Sequence, residues 1–104
     1  MAEETGERHG NALARRALAQ ACLRRTPPDP QRADDLILSA VELQRESGEK
    51  PELARSYVVW ASLLATQGER EKAQQALSEA ITMLRAMGMA WDLERAQRLG
   101  ALTT

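Results

Sequence analysis

Apolar residues recur along this chain at steps of three and four, the spacing that collects them on one face of an α-helix. The longest such stripe runs through Ala73, Ala76, Leu77, Ala80, Ile81, Leu84 and Met87. A second runs through Ala33, Leu36, Ile37, Ala40, Val41 and Leu43. No strand signal competes, so the pattern predicts five helices. The first spans about Asn11 to Arg25, and Thr26-Pro27-Pro28 stops it because proline disfavours helix in the residue before it. The second opens at Asp29-Pro30, an acidic cap followed by proline in the first helical position, and ends at Ser47-Gly48. The third runs from Pro51 to about Gln67 and is closed by Gly68. The fourth runs from about Arg70 to Met87 and is closed by Gly88, and the fifth from about Ala90 to Leu102. Links of a few residues force consecutive helices to lie antiparallel, as helical hairpins.

The helical pattern also repeats. Leu13-Ala14-Arg15 returns 40 positions later as Leu53-Ala54-Arg55 and in part as Leu93-Glu94-Arg95. Ala33, Ile37, Ala40 and Val41 return as Ala73, Leu77, Ala80 and Ile81 at the same interval. A fixed period in this range marks stacked units, each covering its neighbour's apolar face. The units divide the chain into a polar segment 1–10, a first repeat 11–50, a second repeat 51–89 and a C-terminal capping helix 90–104. Glu4-Thr5-Gly6-Glu7-Arg8 resembles Glu46-Ser47-Gly48-Glu49-Lys50, which closes one repeat and leads to the next. On that likeness the chain begins in the last turn of a missing helix, with an extended loop before Leu13; chance likeness is the alternative.

Composition narrows the functional classes. The absence of Phe and the abundance of Ala, Leu, Glu, Gln and Arg favour helix over strand. Fourteen basic and fifteen acidic residues leave a net charge of −1, without the basic excess that phosphate binding needs, so nucleic acid is not an expected partner. Cys22 is the only cysteine, which rules out an internal disulfide and fits a reducing, cytoplasmic setting. The first ten residues, MAEETGERHG, form no targeting signal, and the apolar run Tyr57 to Ala65 is too short to span a bilayer.

The second unit resembles a tetratricopeptide repeat. Its first helix carries Tyr57, Trp60-Ala61 and Leu64, its turn is Gly68-Glu69, and its second helix carries Ala73, Leu77 and Ala80. The first unit keeps Ala21, Ala33, Ile37 and Ala40 but has Ala17 and Gln20 where the second has Tyr57 and Trp60. The period of 40 exceeds the family's 34, and Arg85 stands where the closing proline belongs. HEAT-like repeats, with longer periods, are the alternative. Long-period, Ala- and Arg-rich repeats of this type resemble those attached to bacterial signalling regulators. The resemblance implies an all-α fold of antiparallel hairpins with a last, capping helix. It implies a protein-interaction or oligomerisation module rather than an enzyme.

Local chemistry points the same way. His9, the only histidine, has no ligand-spaced His or Cys near it, so neither a metal nor another cofactor is expected. No phosphate loop or nucleophile motif is present. In the resembled family the first helices line a concave groove. Carried over by repeat position, that groove takes Arg15, Leu18, Cys22 and Arg25 from the first helix, Arg55, Val58, Val59 and Ser62 from the third, and Arg95, Arg98 and Leu102 from the fifth. Arg15, Arg55 and Arg95 then form a ladder suited to an acidic peptide or a C-terminal carboxylate; local pairing with Glu52, Glu94 or other acids is the alternative. Val58, Val59 and the final helix also offer apolar surface for a homodimer. A small helical ligand-binding or enzymatic domain would need a polar pocket with converging ionisable groups, and the sequence offers none. No membrane partner is expected.

Overall fold

Helix ends set the architecture. In the computed structural model, which describes residues 2–24 and 29–103 and the side chains at 10–22, 24 and 29–101, five helices follow one another. They are α1 (Ala2–Arg24), α2 (Pro30–Ser47), α3 (Lys50–Thr66), α4 (Arg70–Ala86) and α5 (Ala90–Thr103). Asp29 caps α2, its side chain accepting from the Arg32 N–H at 3.1 Å, with Pro30 in the first turn. Helices α2, α3 and α4 end in the same turn. Gly48, Gly68 and Gly88 take φ of 72°, 82° and 68°. Their N–H groups bond back to Arg45, Ala65 and Arg85, and the next residues bond to Gln44, Leu64 and Leu84. This paired closure uses carbonyls the helix leaves unpaired and needs a left-handed residue, which glycine supplies without strain. The chain is helical again within two residues and runs back along its predecessor.

The structure is all-α, and no strand occurs among the described residues. No described helix is long and apolar enough to cross a membrane. α1 packs on α2 and α3 on α4 as hairpins; α3 also packs on α2, and α5 on α4. The extent of 19 Å in the thinnest direction is that of two helix layers. Odd helices touch along one layer, α1 to α3 and α3 to α5, whereas α2 and α4 do not approach. The slab is therefore concave on the odd-helix side.

Two departures from the sequence reading matter. α1 begins at Ala2, not Asn11, so residues 2–10 are helical and Gly6 lies inside a helix rather than in a turn like that at Gly48. The stop at Thr26-Pro27-Pro28 lies outside the described residues. The repeat register also differs between layers. Buried Ala33, Ile37, Ala40 and Gln44 of α2 match buried Ala73, Leu77, Ala80 and Leu84 of α4, each 40 positions on. In α1, however, buried Ala12, Ala19 and Cys22 match Ala54, Ala61 and Leu64, each 42 positions on. The two extra residues lie in the α1–α2 link, not before Leu13. Cys22 O accepts from Asp29 N, seven residues ahead, whereas Leu64 O accepts from Glu69 N, five ahead. Leu13-Ala14-Arg15 is thus a match of letters, not of places: Ala54 is fully buried, while Ala14 is exposed.

Small residues let the hairpins close. Ala54, Ala61, Ala73 and Ala76 share one cluster with Leu64, Leu77, Leu84 and Ala96, which allows the close helix approach that larger side chains would prevent. Between hairpins the space is filled by Tyr57 and Trp60, whose rings stack with centroids 6.1 Å apart. Trp60 touches all three apolar clusters, and the Tyr57 hydroxyl accepts from Arg45. One polar pair interrupts the core. Gln44 and Ser56 are both fully buried; the Ser56 hydroxyl donates to Gln44 Oε1, and Gln44 Nε2 has no partner. One repeat on, Leu84 and Ala96 hold these places.

Trp60→Ala is expected to lower the unfolding free energy by about 3 kcal/mol, the low end of the range for aromatic truncation because the ring is only partly buried. A loss well under ~1 kcal/mol in urea denaturation would contradict its place between hairpins. The double change Gln44→Leu with Ser56→Ala copies the α4–α5 pair and removes the orphaned amide. It is expected to raise stability by about 1 kcal/mol; a clear loss in the same measurement would show that the polar pair stabilises the α2–α3 contact.

Candidate functional site

The concave face of the odd helices carries two adjoining depressions of 290 and 410 Å³. Val58 and Val59 of α3 form a floor common to both, and Gln20 and Arg95 line both as well. This explains the run Tyr57-Val58-Val59-Trp60, apolar all round its helix: Tyr57 and Trp60 fill the space between hairpins while the two valines face the groove.

One end of the groove is electrically closed. Arg16 of α1 donates to the Glu52 carboxylate at 2.7 Å and to the Glu52 carbonyl at 3.2 Å. Glu52 also accepts from Arg55, and Arg55 reaches across to Asp92 of α5 at 3.2 and 3.3 Å. Arg16 further contacts the Ser56 hydroxyl at 3.4 Å, so one polar chain runs from buried Gln44 through Ser56, Arg16, Glu52 and Arg55 to Asp92. It ties α1, α2, α3 and α5 together. Burial pushes the Glu52 carboxyl up, but the hydrogen bonds and charges of Arg16 and Arg55 together outweigh it and hold the group below its ordinary value of 4.5. The hydrogen bond to Asp92, helped by Glu52, overcomes desolvation and raises Arg55.

The other end is open. It is lined by Gln20 and Arg24 of α1, Val58, Val59 and Ser62 of α3, and Arg95 and Leu99 of α5. Arg24 and Arg95 have no carboxylate partner among the described residues. Arg95 lies over the exposed Trp91 ring, 4.9 Å from its centroid, an arrangement that holds the guanidinium by its attraction to the π face.

Of the residues expected in the groove, Arg55, Val58, Val59, Ser62 and Arg95 line it. The α1 set does not, because the register there is 42. Arg15 stands where Tyr57 stands and binds the Ser39 hydroxyl of α2; Cys22 is buried against α2; and Leu18, 51% exposed, lines neither depression. Arg16, Gln20 and Arg24 take their place. Arg98 lies outside both depressions and pairs with Glu94 one turn back, at 2.7 Å. Arg25 lies outside the described residues, as do the side chains of His9 and Leu102. The arginine ladder is therefore not a row of equivalents: Arg15 turns to a serine hydroxyl on α2, Arg55 is paired with acids as in the local alternative, and Arg95 alone lines the groove without a carboxylate partner among the described residues. Trp91 was missed because Pro51 stands at its repeat position, and Asp92, one repeat on from Glu52, because its pairing with Arg55 is a contact between helices. Arg16, Gln20 and Arg24 follow once Ala12 and Ala19 are matched to Ala54 and Ala61. Among the described residues no group of three or more His, Cys, Asp or Glu side chains could hold a metal ion.

The chain thus belongs to the class of all-α proteins built from successive antiparallel helix pairs with one concave face. No family model, curated protein or solved structure matches it.

Because Glu52 is held below its ordinary value in the folded state, its contribution to stability is complete above that value and lost as pH falls through the depressed one. Glu52→Gln is expected to destabilise the protein at pH 7 and to flatten the decline in melting temperature below pH 4.5. An acid limb of unchanged slope in the variant would show that Glu52 does not carry this charge linkage.

Proposed function

We propose that this protein is a non-catalytic interaction module of tetratricopeptide type, which holds an acidic peptide or partner helix in the groove of α1, α3 and α5. The observation that carries the reading is the division of charge in that groove. Arg16 and Arg55 are neutralised by Glu52 and Asp92, while Arg24 and Arg95 stand unpaired beside an apolar floor of Val58, Val59 and Leu99. Apolar surface supplies burial energy to a bound segment, and guanidinium forks select carboxylates. The buried alanines at the helix crossings support the tetratricopeptide assignment, as does the filling of the space between hairpins by Tyr57 and Trp60. The acidic groups that line or border the groove, Glu52 and Asp92, are held in ion pairs that tie helices together, which supports binding over catalysis. A cytoplasmic location and a place in a bacterial regulatory protein are part of the same proposal, resting on the lone buried Cys22 and on the family resemblance.

The test uses a peptide array of graded acidity with helical content followed in parallel. Acidic peptides are expected to bind, with an affinity that falls as salt rises. Arg24→Glu combined with Arg95→Glu is expected to weaken them at least tenfold while the circular dichroism stays that of the parent. Equal binding by the doubly reversed form, or no preference for acidic peptides, would overturn the reading.

A further inference from the structure

The even-helix side of the stack carries a channel of its own. α2 and α4 make no contact with one another, because the Tyr57–Trp60 layer of α3 holds the two hairpins apart. Between them lie two adjoining depressions of 500 and 540 Å³, each larger than either depression of the groove. Arg45 of α2 lines both and joins them. Leu53, Tyr57 and Trp60 of α3 form the floor, and Lys72, Ala76, Glu79, Met83 and Met87 of α4 form one wall. These α4 positions recur at steps of three and four, so the channel follows that helix from Lys72 to Met87, a length of about 22 Å. All the residues that line it lie between 45 and 87, so it belongs to the middle of the stack rather than to either end. It shares no residue with the concave groove.

We propose that this channel docks an amphipathic helix of a partner protein, one that carries acidic residues beside its apolar side. The floor supplies apolar surface, and Met83 and Met87 are unbranched side chains that adapt to the shape of what lies on them. Gln75, Glu79 and Thr82 are exposed and make the rim polar, as the border of a docking site is. Charge selects the occupant. Of the four charged side chains in the lining, Arg45, Lys50 and Lys72 are basic and only Glu79 is acidic, in a chain whose acids outnumber its bases. None of the three cations has a carboxylate partner among the described residues. Arg45 is held instead by the Tyr57 hydroxyl, which fixes its guanidinium where the two depressions meet. A local excess of unpaired positive charge complements an acidic segment and repels a basic one. That segment is helical because the channel offers no strand edge, so a chain lying on its apolar floor must satisfy its own backbone N–H and C=O groups. A helix of about four turns matches the channel's length.

The probes are two stapled helical peptides of about 16 residues, with leucine along one face and either glutamate or lysine on its flanks. The readout is the emission of Trp60 in the whole chain carrying Trp91→Phe, which replaces an exposed ring and leaves Trp60 the only tryptophan. The glutamate peptide is expected to shift this emission to shorter wavelength and to bind at least tenfold more tightly than the lysine peptide. Lys50→Glu combined with Lys72→Glu, both exposed positions, is expected to weaken it at least tenfold with the circular dichroism unchanged. Arg24→Glu combined with Arg95→Glu is expected to leave the affinity within about twofold, because those residues line the other side. No shift with either peptide up to about 300 µM overturns the proposal. So does an equal response to both peptides, or binding indifferent to the lysine reversals. Binding lost with the Arg24 and Arg95 reversals would assign the peptide to the concave groove and overturn it as well. An emission that shifts with protein concentration alone would make the occupant a second copy of the chain, against the proposal.

Discussion

The left-handed glycine turn is the constraint on which the rest depends. Gly48, Gly68 and Gly88 lie 20 positions apart, and each ends a helix with the same pair of backward hydrogen bonds. Because each turn is so short, the next helix has no freedom to lie anywhere but back along its predecessor. Equal spacing then makes α3 and α4 equal in length, at 17 residues each, so the face of one meets the face of the other in constant register. The absence of neighbours within 4 Å of a Cβ built at these glycines shows that they are needed for backbone conformation alone, not for space.

Given that register, the sizes of side chains decide the curvature. Ala54, Ala61, Ala73 and Ala80 let paired helices approach, while Tyr57 and Trp60 hold the hairpins apart by the width of an aromatic layer. The odd helices are drawn together by the Arg16–Glu52–Arg55–Asp92 chain, and the even helices have no equivalent tie. Partly buried, with two hydrogen bonds to each carboxylate, this chain offsets its desolvation better than an isolated surface pair does. Closing the concave side this way consumes charge at one end of the groove and leaves Arg24 and Arg95 free at the other. The same folding event that builds the groove thus also polarises it.

Much of this architecture is legible in the residues alone. The apolar steps of three and four give the helices, and glycine and proline give their ends, because these effects are local to a turn or two of backbone. The packing roles of Tyr57, Trp60, Ala61, Ala73 and Ala80 follow from the repeat, whereas the expectation that Val58, Val59 and Arg95 lie on a groove side came with the family resemblance. The register of α1 does not. Two residues added to a link shift every side chain of that helix by about 200° relative to its letter-matched copy, and the sequence offers two competing matches, at 40 and at 42 positions. Only packing decides between them, since Ala12, Ala19 and Cys22 fit against α2 and Ala14, Leu18 and Ala21 are left outside. Whether an arginine is free or paired is likewise a tertiary matter. Arg55 and Arg95 carry the same charge at the same repeat position, yet Asp92 from another helix claims one, and only Trp91 on its own helix holds the other.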